Sequence, residues 1–405
     1  MWLLKLAWKN MWRNRNRTAI TIAAVFFSVI LSTLTNSLQD GIFENLIKNV
    51  VSFYNGYIQI HKKGYWEEQI LDNTFENSSK LSNLISQHQN ITAVAPRIES
   101  FALVSSDTLT KGCLVIGISP DLENSITQLE NKLIEGEYLS ENDPASLLSE
   151  GLANRLNLSL HDTLVIIGQG YHGAMAVGKY PIKGILKFGS PDLNDQTLYL
   201  SLSVAQELYS VQNMLTSYVI GLENPDYLNP TAEKVKSSLG SDYEVMTWEE
   251  MMPEVVQHIR TDKASLIIIQ GVLYMLIGFG IIGTLLMMMV ERKYEMGMLV
   301  AIGMKKGKLM QLMLIESVLT VFAGCVLGIL ASIPIVIYLN RFPIRFKGEL
   351  AKVYEEFGFE AIFPTSTNPE IFLRQGLLVL VLALLLSLYP LLKIARLNPV
   401  TAMKK

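Results

Sequence analysis

The chain has 405 residues, is 50% hydrophobic and only 18% charged, with a mean hydropathy of +0.29, a balance too apolar for a soluble enzyme of this size. A formal charge of −3 and a pI near 6.0 argue against a nucleic-acid partner. Cys113 and Cys325 lie far apart without CxxC or Cys/His spacing, so neither a disulfide framework nor a metal site is expected.

Residues 1–17 set Leu4, Trp8 and Trp12 at i, i+4 and i+8 beside Lys5, Lys9 and Arg13, the pattern of an amphipathic helix lying in a membrane interface. Four stretches then reach the roughly 20 apolar residues that cross a bilayer: 18–38, 264–290, 309–339 and 371–392. The first is expected to be an uncleaved anchor, since it is long for a signal's apolar region and lacks a small-residue cleavage site. Within it Thr21, Ser28, Ser32, Thr35 and Asn36 gather on one side of a helix. A polar stripe in lipid is costly, so it should face another helix or a cavity. Ser28, Ser32, Thr35 and Asn36 are thus candidates for a substrate path, with interhelical packing as the alternative.

Residues 39–263 read as one mixed α/β domain inserted between the first and second spans. "GYIQIHK", "CLVIGIS", "DTLVIIG" and "LYLSLS" have strand character, whereas "SKLSNLISQHQ", "SEGLANRLN", "SVAQELYSVQ" and "NPTAEKVKSSLG" have helical spacing. "GISPDLE" and "ENPDY" are joints. Between two strand-like runs lies "GQGYHGAMAVGK", residues 168–179, a glycine-rich loop expected to expose Tyr171, His172, Met175 and Val177 to a partner, or else to be a hairpin tip or a subunit contact. The helix starting at Pro253 runs straight toward the second span, and if continuous would pass domain movement to the membrane.

The 291–308 connection is short and charged, yet Met296, Met298, Leu299, Val300 and Ile302 must pack on something: the bilayer surface, with anionic lipid as the bland alternative, the ends of neighbouring spans, or a docked protein. A helix over 294–302 is expected, with Gly303 at its left-handed cap and Lys305, Lys306 and Lys308 at the end whose dipole favours cations. In the third span Gly324 and Gly328 permit close helix packing, and Glu316 lies near one end. Residues 340–370 form a loop and 393–405 a tail.

Basic residues Lys5, Lys9, Arg13, Arg15 and Arg17, the 291–308 connection, and Lys393, Arg396, Lys404 and Lys405 place both termini and that connection in the cytoplasm. The 39–263 domain and the 340–370 loop then lie outside. No HExxH, GxSxG or Walker A sequence is present, and His61, His88, His161, His172 and His258 are scattered. The chain is therefore expected to be non-catalytic, with any ATP hydrolysis in another chain.

"ERKYEMGMLVAIGMKKGKLMQLMLIES" resembles the signature region of the FtsX-like permease domain shared by the MacB, LolC and LolE transporters, the mechanotransmission ABC permeases. "LAWKNMWRNRNRT", "LLSEGLANRLNLSLHDTLVIIG", "VIGISPDLE" and "YPLLKIARLNPVTAM" extend the resemblance along the chain. It implies a bacterial inner-membrane protein with four transmembrane α-helices and a large, two-lobed, mixed α/β periplasmic domain. It further implies a second permease subunit, identical or different, and a separate ABC ATPase subunit that binds ATP and Mg and grips the 291–308 connection. By that match Glu291, Arg292, Glu295, Gly297, Leu299 and Gly303 fall in the coupling region. No cofactor is implied in this chain. The implied function is ATP-driven lipoprotein release or extrusion of another substrate, with a periplasmic carrier or an outer-membrane channel as further partner. The alternative is FtsX-like signalling to a cell-wall hydrolase.

Overall fold

The apolar runs become four long helices in the computed structural model, which describes residues 2–13, 15–106, 109–349 and 362–395. These helices are Arg15–Val50, Pro253–Glu291, Lys306–Arg341 and Pro369–Ala395, each with a segment long and apolar enough to cross a membrane. All four outrun the apolar windows, because a helix satisfies its own backbone hydrogen bonds and continues into polar sequence without penalty. The helix starting at Pro253 reaches Glu291 without a break. The chain divides into two compact units, one of residues 1–44, 259–345 and 362–405, the other of residues 45–258 and 346–361. The basic tail residues Arg396, Lys404 and Lys405 lie outside the described residues, as do 350–361 of the 340–370 loop, whose described part pairs Ile344–Arg345 with Ile362–Phe363.

In the first unit Val25 and Val29 of the first long helix pack with Ile277, Ile281, Val321, Cys325, Val379 and Ala383 of the other three. Glycine makes the contact between the first and third helices. A Cβ on Gly324 would stand 2.7 Å from Val25 Cβ, and one on Gly328 2.8 Å from Val29 Cβ. Gly324→Ala should therefore destabilise the bundle by about 1–3 kcal/mol. The control Gly271→Ala, where an added Cβ meets nothing within 4 Å, should not. Melting of the detergent-purified chain distinguishes the two. The helix Trp2–Arg13 buries Ala7 and Met11 against the third long helix and exposes Leu4, Trp8 and Trp12 along the adjoining flank.

Among its described residues the second unit is built on strands β1 (Ile58–Lys62), β2 (Phe75–Glu76), β3 (Ile91–Ser105), β4 (Thr110–Ile118), β5 (Leu133–Gly136), β6 (Ser146–Ser149), β7 (Thr163–Gln169), β8 (Met175–Leu186), β9 (Thr197–Ser201), β10 (Met214–Leu215), β11 (Ser217–Leu222) and β12 (Tyr243–Thr247). The first half of β3 closes an antiparallel sheet ordered β12-β1-β11-β3, on which helices Ser79–Ser86 and Leu228–Ser238 pack. Its second half pairs with both β4 and β7, so β3-β4-β9-β6-β8-β7 returns to its start as a closed ring. Alternate residues such as Ala102, Val104, Cys113, Val115, Leu164, Ile166, Leu198 and Leu200 fill that ring.

Arg97 sits where β3 passes from one sheet to the other, opposite Ser217 of β11 on one side and Ile118 of β4 on the other. It is fully buried. Its Nε and Nη2 donate to Glu123 Oε2 and Oε1 at 2.8 and 2.6 Å, and Nη1 donates to Glu99 Oε1 at 3.3 Å. Thr127 donates a further bond to Glu123 Oε1, and the Tyr54 ring lies 4.9 Å from the guanidinium. Burial alone would lower the Arg97 pKa; the Glu123 and Glu99 carboxylates outweigh it and hold it well above its ordinary value.

Candidate functional site

The second long helix ends at Glu291, and Arg292 (φ −94°, ψ 2°) turns the corner into a separate helix, Lys293–Ala301. Its end is chemically determined. Gly303, at φ +106°, donates to the Val300 carbonyl while Met304 donates to that of Leu299, the paired bonds of a Schellman motif. Leu299 and Met304, the residues such a motif brings together, both pack on a cluster of Met289, Met296, Leu309 and Met313. The apolar content of this charged connection is thus explained: one face of the short helix seals the ends of the second and third long helices.

That geometry sorts the six coupling candidates. Glu291 and Gly303 are exposed, Glu295 is partly exposed and bonds to Arg13 at 2.6 Å, and Leu299 faces inward. Arg292 and Gly297 are buried. Arg292 is withdrawn from the surface to meet Glu316, so it is unavailable to a docked protein. The outward stripe is instead Tyr294, Met298 and Ile302, at i, i+4 and i+8, followed by exposed Lys305, Lys306 and Lys308. Their i, i+4, i+8 spacing shows that the three share a face, but not that this face turns outward.

The polar stripe of the first long helix is mostly engaged. Ser32 is buried and donates to Gln375 Oε1 at 2.8 Å, with the Tyr274 hydroxyl 3.2 Å away. Tyr274 also donates to Gln375. Asn36 is buried and accepts from Gln270 Nε2 at 2.7 Å, a nitrogen that also reaches Gln39. Ser28 and Thr35 bond back to the Ala24 and Leu31 carbonyls of their own helix. Ser32 and Asn36 thereby join the first, second and fourth long helices through a hydrogen-bond network of the kind that substitutes for hydrophobic association in lipid.

The glycine-rich segment is less of a loop than expected. Strands β7 and β8 continue their ladder up to Gln169 and Met175, leaving only 170–174 as a tip. Tyr171 packs on the ring's core and donates its N–H to the Tyr209 carbonyl. His172 is exposed, in the left-handed region at φ 51°, with its N–H on Asp72. Met175 and Val177 are strand residues facing out, 84% and 54% exposed. The ladders align Leu103, Ile167 and Val177 in one row, and Phe101 of β3 and Met175 of β8 are also exposed, so exposed apolar side chains from three strands lie on the ring's outside. Because 175–177 belong to the ladder, replacing 170–177 by a Gly/Ser connection should open the ring and lower its stability. Met175→Ser with Val177→Thr should change it by less than about 0.5 kcal/mol. Hydrogen exchange over 163–186 checks both. Among the described residues no group of three or more His, Cys, Asp or Glu is placed to hold a metal ion.

The FtsX-like permease C-terminal family matches residues 267–399, and the MacB-like periplasmic core domain family matches 18–238. The lipoprotein-releasing system transmembrane protein LolC of Xylella fastidiosa is 19% identical over 323 residues, covering 78% of each chain. LolE of Haemophilus influenzae is 22% identical over 345 residues, covering 80% of each. The crystal structure of the periplasmic region of MacB from Actinobacillus actinomycetemcomitans aligns at 15% identity with a TM-score of 0.37, covering 53% of this chain and 97% of that one. With a MacB-like core domain over more than half its length and an FtsX-like domain over its last three long helices, the chain belongs to the ABC transporter permeases of the MacB, LolC and LolE type.

Proposed function

We propose that this chain is the permease subunit of an ABC transporter in which a separate ATPase docks on the Tyr294, Met298 and Ile302 stripe. Closure of that ATPase on ATP and Mg would move the short helix, and through the long helices the domain between the first and second spans. One observation carries the reading: a helix with one apolar face sealed into the bundle presents a second apolar stripe outward, beside three lysines. An exposed apolar stripe of this kind is a protein-binding feature. The distribution of Lys and Arg supports a cytoplasmic position for this helix and for both termini, in a bacterial inner membrane.

The substrate class follows the relatives: lipoproteins released from the membrane, or another molecule extruded from the membrane or periplasm. A second permease subunit completes the complex. Ser28, Ser32, Thr35 and Asn36 would line the substrate path only after the network around Gln375 and Gln270 opens. The outer face bearing Met175, Val177, Phe101, Leu103 and Ile167 is the proposed partner surface for a soluble carrier or an outer-membrane channel; Tyr171 and His172 flank it. Signalling to a cell-wall hydrolase has less support, since the inserted domain matches the MacB-like core.

Met298→Asp and Ile302→Asp should each remove one buried apolar contact and place a charge in the interface. That is a loss of about 1.5–3 kcal/mol, or at least about tenfold in affinity. Co-purification with the ATPase should fall accordingly while membrane insertion persists. Undiminished ATPase association in both variants would refute docking at this stripe. Glu295→Lys should weaken assembly less, because its partner Arg13 is solvent-exposed.

A further inference from the structure

We infer that Arg292 and Glu316 are positioning residues that tie the short helix Lys293–Ala301 to the third long helix, so that displacement of the first is delivered to the second; this rests on the docking reading above. Arg292 is the corner between two helices, and its side chain turns inward. Nη1 donates to Glu316 Oε1 at 2.5 Å and Nη2 to the Asn10 carbonyl at 3.2 Å, with the paired side chains 5% and 2% exposed. Asn10 is in the last turn of helix Trp2–Arg13, where carbonyls lack helical partners and a cation complements the helix dipole. A planar guanidinium serves an acid and a carbonyl from one rigid fork, which a lysine ammonium does not. Arg292 thus joins three elements at one point.

The apolar contacts around Met296 and Met313 can slide past one another, because dispersion is non-directional. The ion pair cannot separate without leaving a buried carboxylate uncompensated. A push on the corner therefore carries the third helix with it. The neighbouring Arg13–Glu295 pair adds a weaker tie, being exposed and screened.

The test uses the full-length chain in lipid nanodiscs with its co-purified ATPase, comparing nucleotide-free and vanadate-trapped states by hydrogen exchange. In the unsubstituted complex, trapping should change exchange both at 293–303 and at 309–320. Arg292→Met with Glu316→Leu removes both charges together, a replacement buried pairs commonly tolerate. This double variant should keep its melting temperature within about 3 °C and keep the response at 293–303, while the response at 309–320 falls at least fivefold. Arg292→Lys, which keeps the charge but not the fork, should give an intermediate response and serves if the double variant fails to fold. An undiminished response at 309–320 in these variants would overturn the linkage alone. No response at 293–303 in the unsubstituted complex would overturn the docking reading and the linkage with it.

Discussion

Arg97→Ala should destabilise the domain between the first and second long helices by about 3–5 kcal/mol, the cost of leaving buried charge without its partner. Glu123 is 1% exposed, and both its oxygens accept from Arg97. Without the guanidinium Glu123 keeps only the Thr127 hydroxyl, and Glu99 loses the bond from Nη1. A hydroxyl is not a countercharge. A loss of this size is a large part of the roughly 5–15 kcal/mol that stabilises a domain. The location sharpens the expectation, because Arg97 holds the point at which β3 leaves one sheet for the other. Arg97→Met with Glu123→Leu, which removes both charges, should recover more than half the loss. Denaturant titration of the full chain, read by hydrogen exchange over 91–118, measures both. A single variant as stable as the unsubstituted chain would show that the cluster is dispensable.

The same residue explains where sequence reasoning fell short. Hydropathy exposed the four spanning helices because lipid leaves only a long apolar run as a solution. Alternation exposed β1, β4, β7 and β9. The longest strand, β3, passed unnoticed: Pro96, Arg97 and Glu99 interrupt its apolar pattern, and proline argues against a strand interior. Those residues are tolerated because Glu123, distant in sequence, supplies the countercharge, and no local window contains that information. The hairpin tip was overestimated for a related reason. Glycine density at Gly168, Gly170, Gly173 and Gly178 reads as loop, yet at Gly178 and Gly170 close approach is the need: an added Cβ would stand 2.6 Å from the Tyr180 ring and from the Tyr209 carbonyl oxygen. In the 291–308 connection the helix and its glycine cap were legible, since both are local. Which face turns outward was not, because that depends on Met289, Leu309 and Met313 from two other helices. The inward turn of Arg292 was equally hidden, its partner Glu316 lying beyond the short helix and into the next.

A second large effect is expected from pH, through His61. Its ring is fully buried, stacked on Tyr65 with centroids 5.2 Å apart and tilted against Trp66 at 5.7 Å. Nδ1 faces the Thr216 carbonyl at 3.2 Å, while Nε2 is buried without a hydrogen-bond partner among the described residues. A proton on Nε2 would have no acceptor. Burial therefore lowers the pKa from 6.5 to about 4, the nearby Arg97 adding to the shift and the Thr216 carbonyl opposing it. Because the folded value lies below the unfolded one, the unfolded chain takes up the proton first as the medium acidifies. The contribution of neutral His61 is fully present above pH 6.5, is lost progressively between about 6.5 and 4, and changes no further below that. The gap amounts to about 3 kcal/mol. His61→Phe fills the same stacked site without a titratable nitrogen. It should lower stability by about 1 kcal/mol at pH 7.5, where the Thr216 carbonyl loses its donor, and should gain relative to the unsubstituted chain by about 3 kcal/mol on going to pH 4. The difference between the two chains is the informative quantity, since carboxylates elsewhere titrate equally in both. Denaturant midpoints of the two full-length proteins at pH 7.5, 6, 5 and 4 give that difference, and parallel pH profiles would show that His61 does not carry the acid sensitivity.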